Sequence, residues 1–400
     1  MKVLYNLPKE VKYCKNCVTS NQYPTSISEF THVKNRDGAK YINFNKYGNC
    51  DACVQAEIKE KKINWKEREK ELLALLNKYR GNGTDYDCLV PGSGGKDSAF
   101  ASHVLKYKYG MNPLTVTWPP ILYTEYGYNN FKNWIEIGGF DNITYKPNGR
   151  VQRLLTKLSI INLLHPFQTF ILGQKNIAPR IATKFNIKLV FFGENESEYG
   201  NPINNNQTSF RDSSFFTYNK KEQEIFLAGV SLKNLELEYG IKKKELTPYL
   251  PLERDEILKD IEVRYLGYYL KWVPQEVFYY AVENTGFKPR PYRTQGTYSK
   301  YNSIDDKIDD LHYYTRYLKF GIGRATDDAS QEIRNKHLSR QEGVQLVKKF
   351  DGEFPDKYLD EILNELQLKK DHFFKLCDQY RSEHLWKNEN GWKLRYPIWE

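Results

Sequence analysis

Apolar and polar positions alternate along this chain with two different periods. Trp65 to Tyr79 spaces Leu72, Leu73, Leu75 and Leu76 among charged residues at helical intervals, which predicts an amphipathic helix, and Gly81-Asn82-Gly83 stops it. An apolar run through Cys88-Leu89-Val90 then reads as a strand entering a glycine-rich turn, followed by a helix from Ala99 to Tyr107. Strand-like and helix-like stretches go on alternating. Leu114 to Trp118, Asn142 to Tyr145 and Lys188 to Glu194 read as strands, and Tyr126–Ile137, Val151–Leu164 and Pro166–Phe185 as helices. This alternation predicts an α/β unit, a parallel sheet with helices on both faces. Ligands of such sheets bind beyond the carboxyl ends of the strands, which gathers the turn after Val90, Thr117-Trp118 and Gly193-Glu194 around one crevice. Glu194, Trp118 and, on a facing helix, Gln174, Lys175 and Arg180 become candidates for it.

From about Pro248 the pattern turns mainly helical. Ser339 with Glu342 forms a capping box opening a helix to Phe350, and the stripe Tyr265, Tyr268, Tyr269, Trp272 reads as helix-packing core. Arg324, beside Asp327 and Asp328, is a candidate for holding a phosphate or sugar, although Thr326 and Asp327 equally suit a helix cap.

The six cysteines refine this picture. Cys14-Lys15-Asn16-Cys17 and Cys50-Asp51-Ala52-Cys53 are two CxxC knuckles, whose four thiolates complete a tetrahedral sulfur cage. Four sulfur ligands leave no open position, so a structural zinc ion is expected, in a ribbon too small for a core of its own. Asn16, Gly48 and Asn49 suit tight turns with positive φ.

The turn itself, Pro91-Gly92-Ser93-Gly94-Gly95-Lys96-Asp97-Ser98, directs backbone N–H groups and a helix N-terminus at one point, which is an anion site. It lacks the Gly-Lys-Ser/Thr ending of a Walker A loop, because Asp97 follows Lys96, and Asp97 also breaks a dinucleotide fingerprint.

Ser93 to Ser98 instead resembles the PP-loop of the ATP pyrophosphatase superfamily. With the four-cysteine ribbon, Gly193-Glu194-Asn195, Glu198-Tyr199-Gly200, the stretch Lys319 to Asp328, Ile333-Arg334 and Ser339 to Glu342, the chain resembles the N-acetyl sugar amidotransferases of the WbpG/PseA type. These are proteins of lipopolysaccharide and pseudaminic acid biosynthesis. The resemblance implies a Rossmann-like fold of the adenine nucleotide alpha hydrolase kind, with an N-terminal zinc ribbon and a mainly helical C-terminal region. The expected segments are a ribbon over 1–60, a helical linker over 61–84, a PP-loop ATP-binding domain over 85–247 and a substrate or partner region over 248–400.

The chemistry it implies is adenylation of an acetamido oxygen by ATP, release of pyrophosphate, and displacement of AMP by ammonia to give an acetamidino sugar. Ser93, Gly94, Gly95, Lys96, Asp97, Ser98 and Trp118 would bind ATP. Lys96, Asp97 and Glu194 would be catalytic, with Mg²⁺ assisting. Gln174, Lys175, Arg180, Glu198, Tyr199, Arg324, Asp327 and Asp328 would meet the substrate, a nucleotide-linked acetamido sugar. His165 and Glu194 are candidates for the base that deprotonates ammonium. The polar stretch Asn201 to Gln207 reads as a lid or acceptor loop.

No cysteine suits a glutaminase nucleophile, since four belong to the ribbon, Cys88 lies in a strand and Cys377 in a terminal helix. A separate glutaminase with a cyclase-like companion should supply ammonia. With 60 basic and 50 acidic residues among 400, the net charge of +10 favours polyanionic partners. Basic residues are dispersed, however, and the run Lys242-Lys243-Lys244 is followed at once by Glu245. The competing reading is therefore a tRNA-modifying PP-loop enzyme, with nucleic acid the less expected partner. No stretch is apolar enough to span a bilayer and Met1 to Asn6 has no secretory pattern, so a cytoplasmic protein is expected.

Overall fold

The computed structural model describes residues 1–33, 40–81, 85–199, 208–219, 224–254 and 261–400, and the Asn201–Gln207 stretch lies outside them. At its centre is a five-stranded sheet built from β1 (Cys88–Pro91), β2 (Pro113–Thr117), β3 (Asn142–Thr144), β4 (Leu189–Phe192) and β5 (Glu262–Tyr265), in the order β3-β2-β1-β4-β5. All four neighbouring pairs are parallel, with Leu89 opposite Leu114 and Val190, and Val190 opposite Val263. This is the α/β fold expected from the alternation of elements.

Side chains of successive strand residues leave the sheet on opposite faces, and here each face has its own cover. Leu89, Val116 and Val190 pack with Leu155, Leu158 and Leu172 of the helices α5 (Gly149–Leu163) and α6 (Gln168–Lys184). Val90, Leu189 and Phe191 pack on the opposite side with Leu72 and Leu76 of α2 (Trp65–Tyr79) and with Val104 and Trp272. The α2 stripe is narrower than expected: Leu72 and Leu76 are fully buried, one turn apart, while Leu73 stays 40% exposed. Asn64 caps α2, accepting from the N–H groups of Lys66 and Glu67.

Two readings change. The helix after the glycine turn starts three residues earlier than expected, at Lys96, giving α3 (Lys96–His103) and then a π turn over Val104–Lys108. The Tyr265 stripe is core but not a helix: Tyr265 ends β5, Tyr268 ends a 3-10 turn, and Trp272 follows in a loop, with Tyr265, Tyr269 and Trp272 all buried. The chain thus returns to the sheet within the region that reads as mainly helical from Pro248 onward.

The C-terminal region is largely helical, including Ile308–Phe320, Arg324–Arg334 and Arg340–Phe350. Ser339 and Glu342 form the expected capping box. Thr326 and Asp327 do not cap the Arg324–Arg334 helix that begins there. Asp351 does, its carboxylate accepting from the Gly323 and Thr326 N–H groups. The N-terminus folds back on this region, Tyr5 donating through its hydroxyl to the Tyr380 carbonyl at 2.7 Å.

Candidate active site and metal centre

β1 delivers the chain to the glycine turn, and α3 begins directly beyond it. Gly94 has φ +85°, and a Cβ there would stand 2.6 Å from the Phe131 Cα, so both backbone angle and close approach require glycine. Gly95 is the residue before α3 and brings no side chain to cap it, which leaves the first-turn N–H groups without a side-chain acceptor from that residue. Lys96 is buried, and its Nζ donates to Asp97 Oδ2 at 2.6 Å. Asp97 Oδ1 is buried with no hydrogen-bond partner among the described residues. Ser98 turns its hydroxyl back to the Gly95 carbonyl at 3.0 Å.

The turn separates two cavities. The larger, about 560 Å³, is lined by Gly92, Ser93, Ser98, Trp118, Lys175 and Phe192, among others. The second, about 460 Å³, is lined by Lys96, Asn130, Asp305, Asp309, Arg324 and Asp327. Ser93, Gly95, Asp97, Gln174 and Glu194 face both. Ligands in the two cavities would therefore meet at the glycine turn.

The remaining sequence candidates divide. Trp118 is buried, with its indole stacked on Tyr145 at 5.8 Å and edge-on to Tyr249 at 5.3 Å, and it forms one wall of the larger cavity. Lys175 also reaches that cavity, its ammonium 4.5 Å from the Phe215 ring centre, and burial lowers its pKa. Arg324 pairs with Asp328 at 3.0 Å and donates to the Tyr313 hydroxyl at 2.6 Å. Asp327 pairs with Arg316 at 2.8 Å. Asp328 lies behind Arg324, accepting from Thr297 and Asn302, and lines neither cavity.

Two candidates are tied up elsewhere. Arg180 donates to the carbonyls of Thr247 and Leu250 and lines neither cavity. The Glu198 carboxylate is held by Lys59 Nζ, at 2.8 and 2.9 Å to its two oxygens. The side chain of Tyr199 lies outside the described residues. His165 lines neither of these cavities but a third, of about 240 Å³, together with His32 and His312.

Several lining residues carried no signal in the sequence. Asp305 accepts from the Ser93 hydroxyl at 2.8 Å, joining the C-terminal region to the turn. Arg211 lies 3.9 Å over the Phe192 ring and pairs with Glu196 at 3.2 Å beside the larger cavity. Asp309 faces the second cavity, and burial, reinforced by Asp305, Asp306 and Asp310, raises its pKa well above the usual carboxylate range.

The four knuckle cysteines come together as the spacing predicted. All are buried, their sulfurs lie within 4.8 Å of one another, and the Cys14–Cys53 and Cys17–Cys50 separations are 3.8 and 3.7 Å. Bonds of ~2.3 Å to one central ion make a tetrahedron with sulfur–sulfur edges of ~3.8 Å, so these residues fit a single tetrahedral metal. The N–H groups of Asn16, Cys17 and Cys50 all point at Cys14 Sγ, at 3.3 to 3.5 Å. Of the three expected turn residues only Gly48 adopts positive φ, +83°; Asn16 and Asn49 do not.

Residues 295–397 match the family model described as LPS biosynthesis protein WbpG-like, C-terminal domain. This part of the chain is similar to that domain, and Asp305, Asp309, Arg324 and Asp327 of the second cavity all lie within the matched residues. No curated protein matches the chain. Among solved structures it is similar to the NH3-dependent NAD synthetase of Campylobacter jejuni subsp. jejuni NCTC 11168, with 14% identity over 34% of this chain and a TM-score of 0.28. The chain spans 59% of the length of that synthetase. It is also similar to the NMN synthetase of Francisella tularensis, at 18% identity over 49% of this chain and 82% of that one, with a TM-score of 0.27. A third is the U34-tRNA thiolase NcsA of Methanococcus maripaludis, solved with its 4Fe–4S cluster, at 11% identity over 80% of this chain and 90% of that one, with a TM-score of 0.31.

Proposed function

We propose that the chain is an ATP-dependent amidotransferase that converts the acetamido group of a nucleotide-linked sugar into an acetamidino group for surface polysaccharide or flagellin glycan biosynthesis. What supports this most is the Ser93–Ser98 turn standing between two cavities, in a chain whose C-terminal region is WbpG-like.

An amide oxygen is a very poor leaving group until it carries AMP. ATP occupies the larger cavity with its adenine toward Trp118, and the sugar occupies the second cavity against Arg324 and Asp327, with Asp328 holding Arg324 in place. The acetamido oxygen attacks the α-phosphorus, the bond to pyrophosphate breaks, and Lys96 with the α3 N–H groups stabilises the charge on the departing pyrophosphate. Asp97, with its buried unpartnered Oδ1, and Glu194 would hold Mg²⁺, which supplies further neutralisation of the phosphates. The cysteine cage would hold Zn²⁺ as a structural ion.

Ammonia comes from a separate glutaminase. The two cysteines outside the cage are buried, and burial raises both thiols, Cys377 to about 12, so neither offers a thiolate nucleophile. The same inert Cys88 weakens the tRNA-thiolation reading. A cytoplasmic setting fits these substrates, and no helix among the described residues is long and apolar enough to cross a membrane.

The test is pyrophosphate release with Mg-ATP and ammonium chloride over a panel of nucleotide-linked acetamido sugars, with mass spectrometry of the products. One sugar should gain the oxygen-to-NH mass change with pyrophosphate and AMP in equal amounts, and Lys96→Ala should slow it about 100-fold or more. Silence across the panel, with AMP formed on adding bulk tRNA, overturns the proposal.

A further inference from the structure

Of the residues that line both the larger and the second cavity, all but one are accounted for by their neighbours or their chemistry. Ser93 donates to Asp305 at 2.8 Å, Asp97 accepts from Lys96 at 2.6 Å, and Gly95 has no side chain. Glu194 brings a carboxylate, an oxygen ligand suited to Mg²⁺. Gln174 is the exception. It is half-buried, and its amide makes no hydrogen bond among the described residues, yet neither amide atom is sealed in the core. Ile171 and Ile177, one helical turn to either side on α6, also line the larger cavity. A primary amide carries one acceptor oxygen and two donor hydrogens. Open to the junction of two cavities and with aliphatic neighbours along its helix, this one is left for a ligand or water to satisfy.

We propose that Gln174 recognises the acetamido group by accepting its N–H, and so aims the acetamido oxygen at the α-phosphorus of ATP. This rests on the amidotransferase reading above. A secondary amide is planar and trans, so its N–H and C=O point in opposite directions. α6 packs on one face of the sheet and α3 on the other, which brings Gln174 and the glycine turn to the cleft from different sides. An N–H held at α6 leaves the acetamido oxygen turned toward the glycine turn, where the phosphates bind.

The contact strengthens as the reaction proceeds. A lone pair of the acetamido oxygen forms the O–P bond, and the bond from phosphorus to pyrophosphate breaks with its electron pair leaving on pyrophosphate. The acetamido nitrogen keeps its hydrogen, and the positive charge the group acquires is shared between that nitrogen and the carbonyl carbon. The hydrogen bond to Gln174 thereby becomes charge-assisted, stronger in the transition state than in the bound substrate. Ammonia then adds its lone pair to the carbon and sheds one proton to water, and AMP leaves with the electron pair of the C–O bond. The product is an amidinium with one hydrogen on the sugar nitrogen and two on the new nitrogen. Gln174 takes no proton at any stage.

The test pairs a change in the protein with a change in the substrate. The sugar that turns over in the panel is assayed beside its N-methylacetamido analogue, which has no N–H, by pyrophosphate release at saturating Mg-ATP with ammonium chloride. The unaltered protein should prefer the parent sugar by about tenfold or more in kcat/KM. Gln174→Leu removes the acceptor and keeps a good helix former; it should lose about 10- to 100-fold on the parent sugar and prefer it over the analogue by less than about threefold. Gln174→Glu keeps an acceptor oxygen and loses the donor, and should turn over the parent sugar about tenfold or more faster than Gln174→Leu. Equal preference in the unaltered protein and Gln174→Leu, or a Gln174→Glu no faster than Gln174→Leu, overturns the inference and leaves the amidotransferase reading standing. Absence of amidino product from the unaltered protein removes both. Should the variants fail to fold, the unaltered protein decides alone: a preference below about tenfold for the parent sugar overturns the inference, and a larger one upholds it.

Discussion

Asp310 shows how far one side chain can depart from its solution chemistry. It lies in the first turn of the Ile308–Phe320 helix, is 5% exposed, and neither carboxyl oxygen has a hydrogen-bond partner among the described residues. Burial pushes its pKa up to about 7, against the opposing pull of Arg290 and Lys357. Its sign in the pH dependence of stability follows. Below about pH 4 the carboxyl is protonated whether the chain is folded or not, and its cost is absent. Between about 4 and 7 the unfolded chain has lost the proton that the folded protein retains, so stability falls as pH rises, and above that it stays lower. The full effect is at most about 4 kcal/mol. Asp310→Asn should therefore raise the melting temperature at pH 8 and hardly change it at pH 4. Equal shifts at the two pH values would show that the carboxyl is ionised throughout.

At the scale of elements, the helix α6 sets the wall of the larger cavity through one glycine. A Cβ at Gly173 would stand 2.2 Å from Trp118 Cε2. Glycine to alanine inside a helix ordinarily stabilises by up to about 1 kcal/mol, but here the buried indole has to move. Gly173→Ala should cost about 1–3 kcal/mol and weaken ATP binding, read by thermal melting and by nucleotide titration. A more stable variant with unchanged ATP affinity would show that Trp118 is free to shift. That glycine's role was not visible in the sequence, whereas β1 and the glycine turn were, because a buried parallel strand is an unbroken apolar run and an anion-binding turn has a recognisable residue set. The edge strand β5 escaped notice for the opposite reason. Glu262-Val263-Arg264-Tyr265 buries only alternate residues, and the aromatics after it imitate a helical stripe. The bond from Asp305 to Ser93 joins residues 212 positions apart, a relation no local pattern encodes. The same holds for the third cavity, whose histidines come from three separated segments.

Across the whole molecule, the cysteine cage is joined to the cleft at the glycine turn by a short series of buried contacts. Cys50 precedes the helix α1 (Asp51–Lys61), which carries Cys53 in its first turn and Lys59 near its end. Lys59 Nζ holds the Glu198 carboxylate and the Trp272 carbonyl, and the Glu198 carbonyl accepts from Arg334. Glu196, in the same 3-10 turn as Glu198, faces the larger cavity. On the other side, Arg340 donates to the carbonyls of Cys14 and Cys17, and Ile333 and Val347 pack against the cage. A metal holding four thiolates therefore fixes α1, the turn beside the cavity and two C-terminal helices relative to one another, and binding free energies of roughly 10–16 kcal/mol are ample for that purpose. Stripping the metal with a chelator, or making Cys50→Ser, should remove about one equivalent of zinc and weaken ATP binding about tenfold or more without any change at the glycine turn itself. Hydrogen exchange should rise in 51–61, 196–199 and 324–350 and stay low in β1, β2 and β4, whose backbone groups are paired inside the sheet. If ATP affinity and exchange in 196–199 were unchanged after the metal is lost, the cage would be stabilising only the ribbon, and the Lys59–Glu198 pair would hold the turn without it.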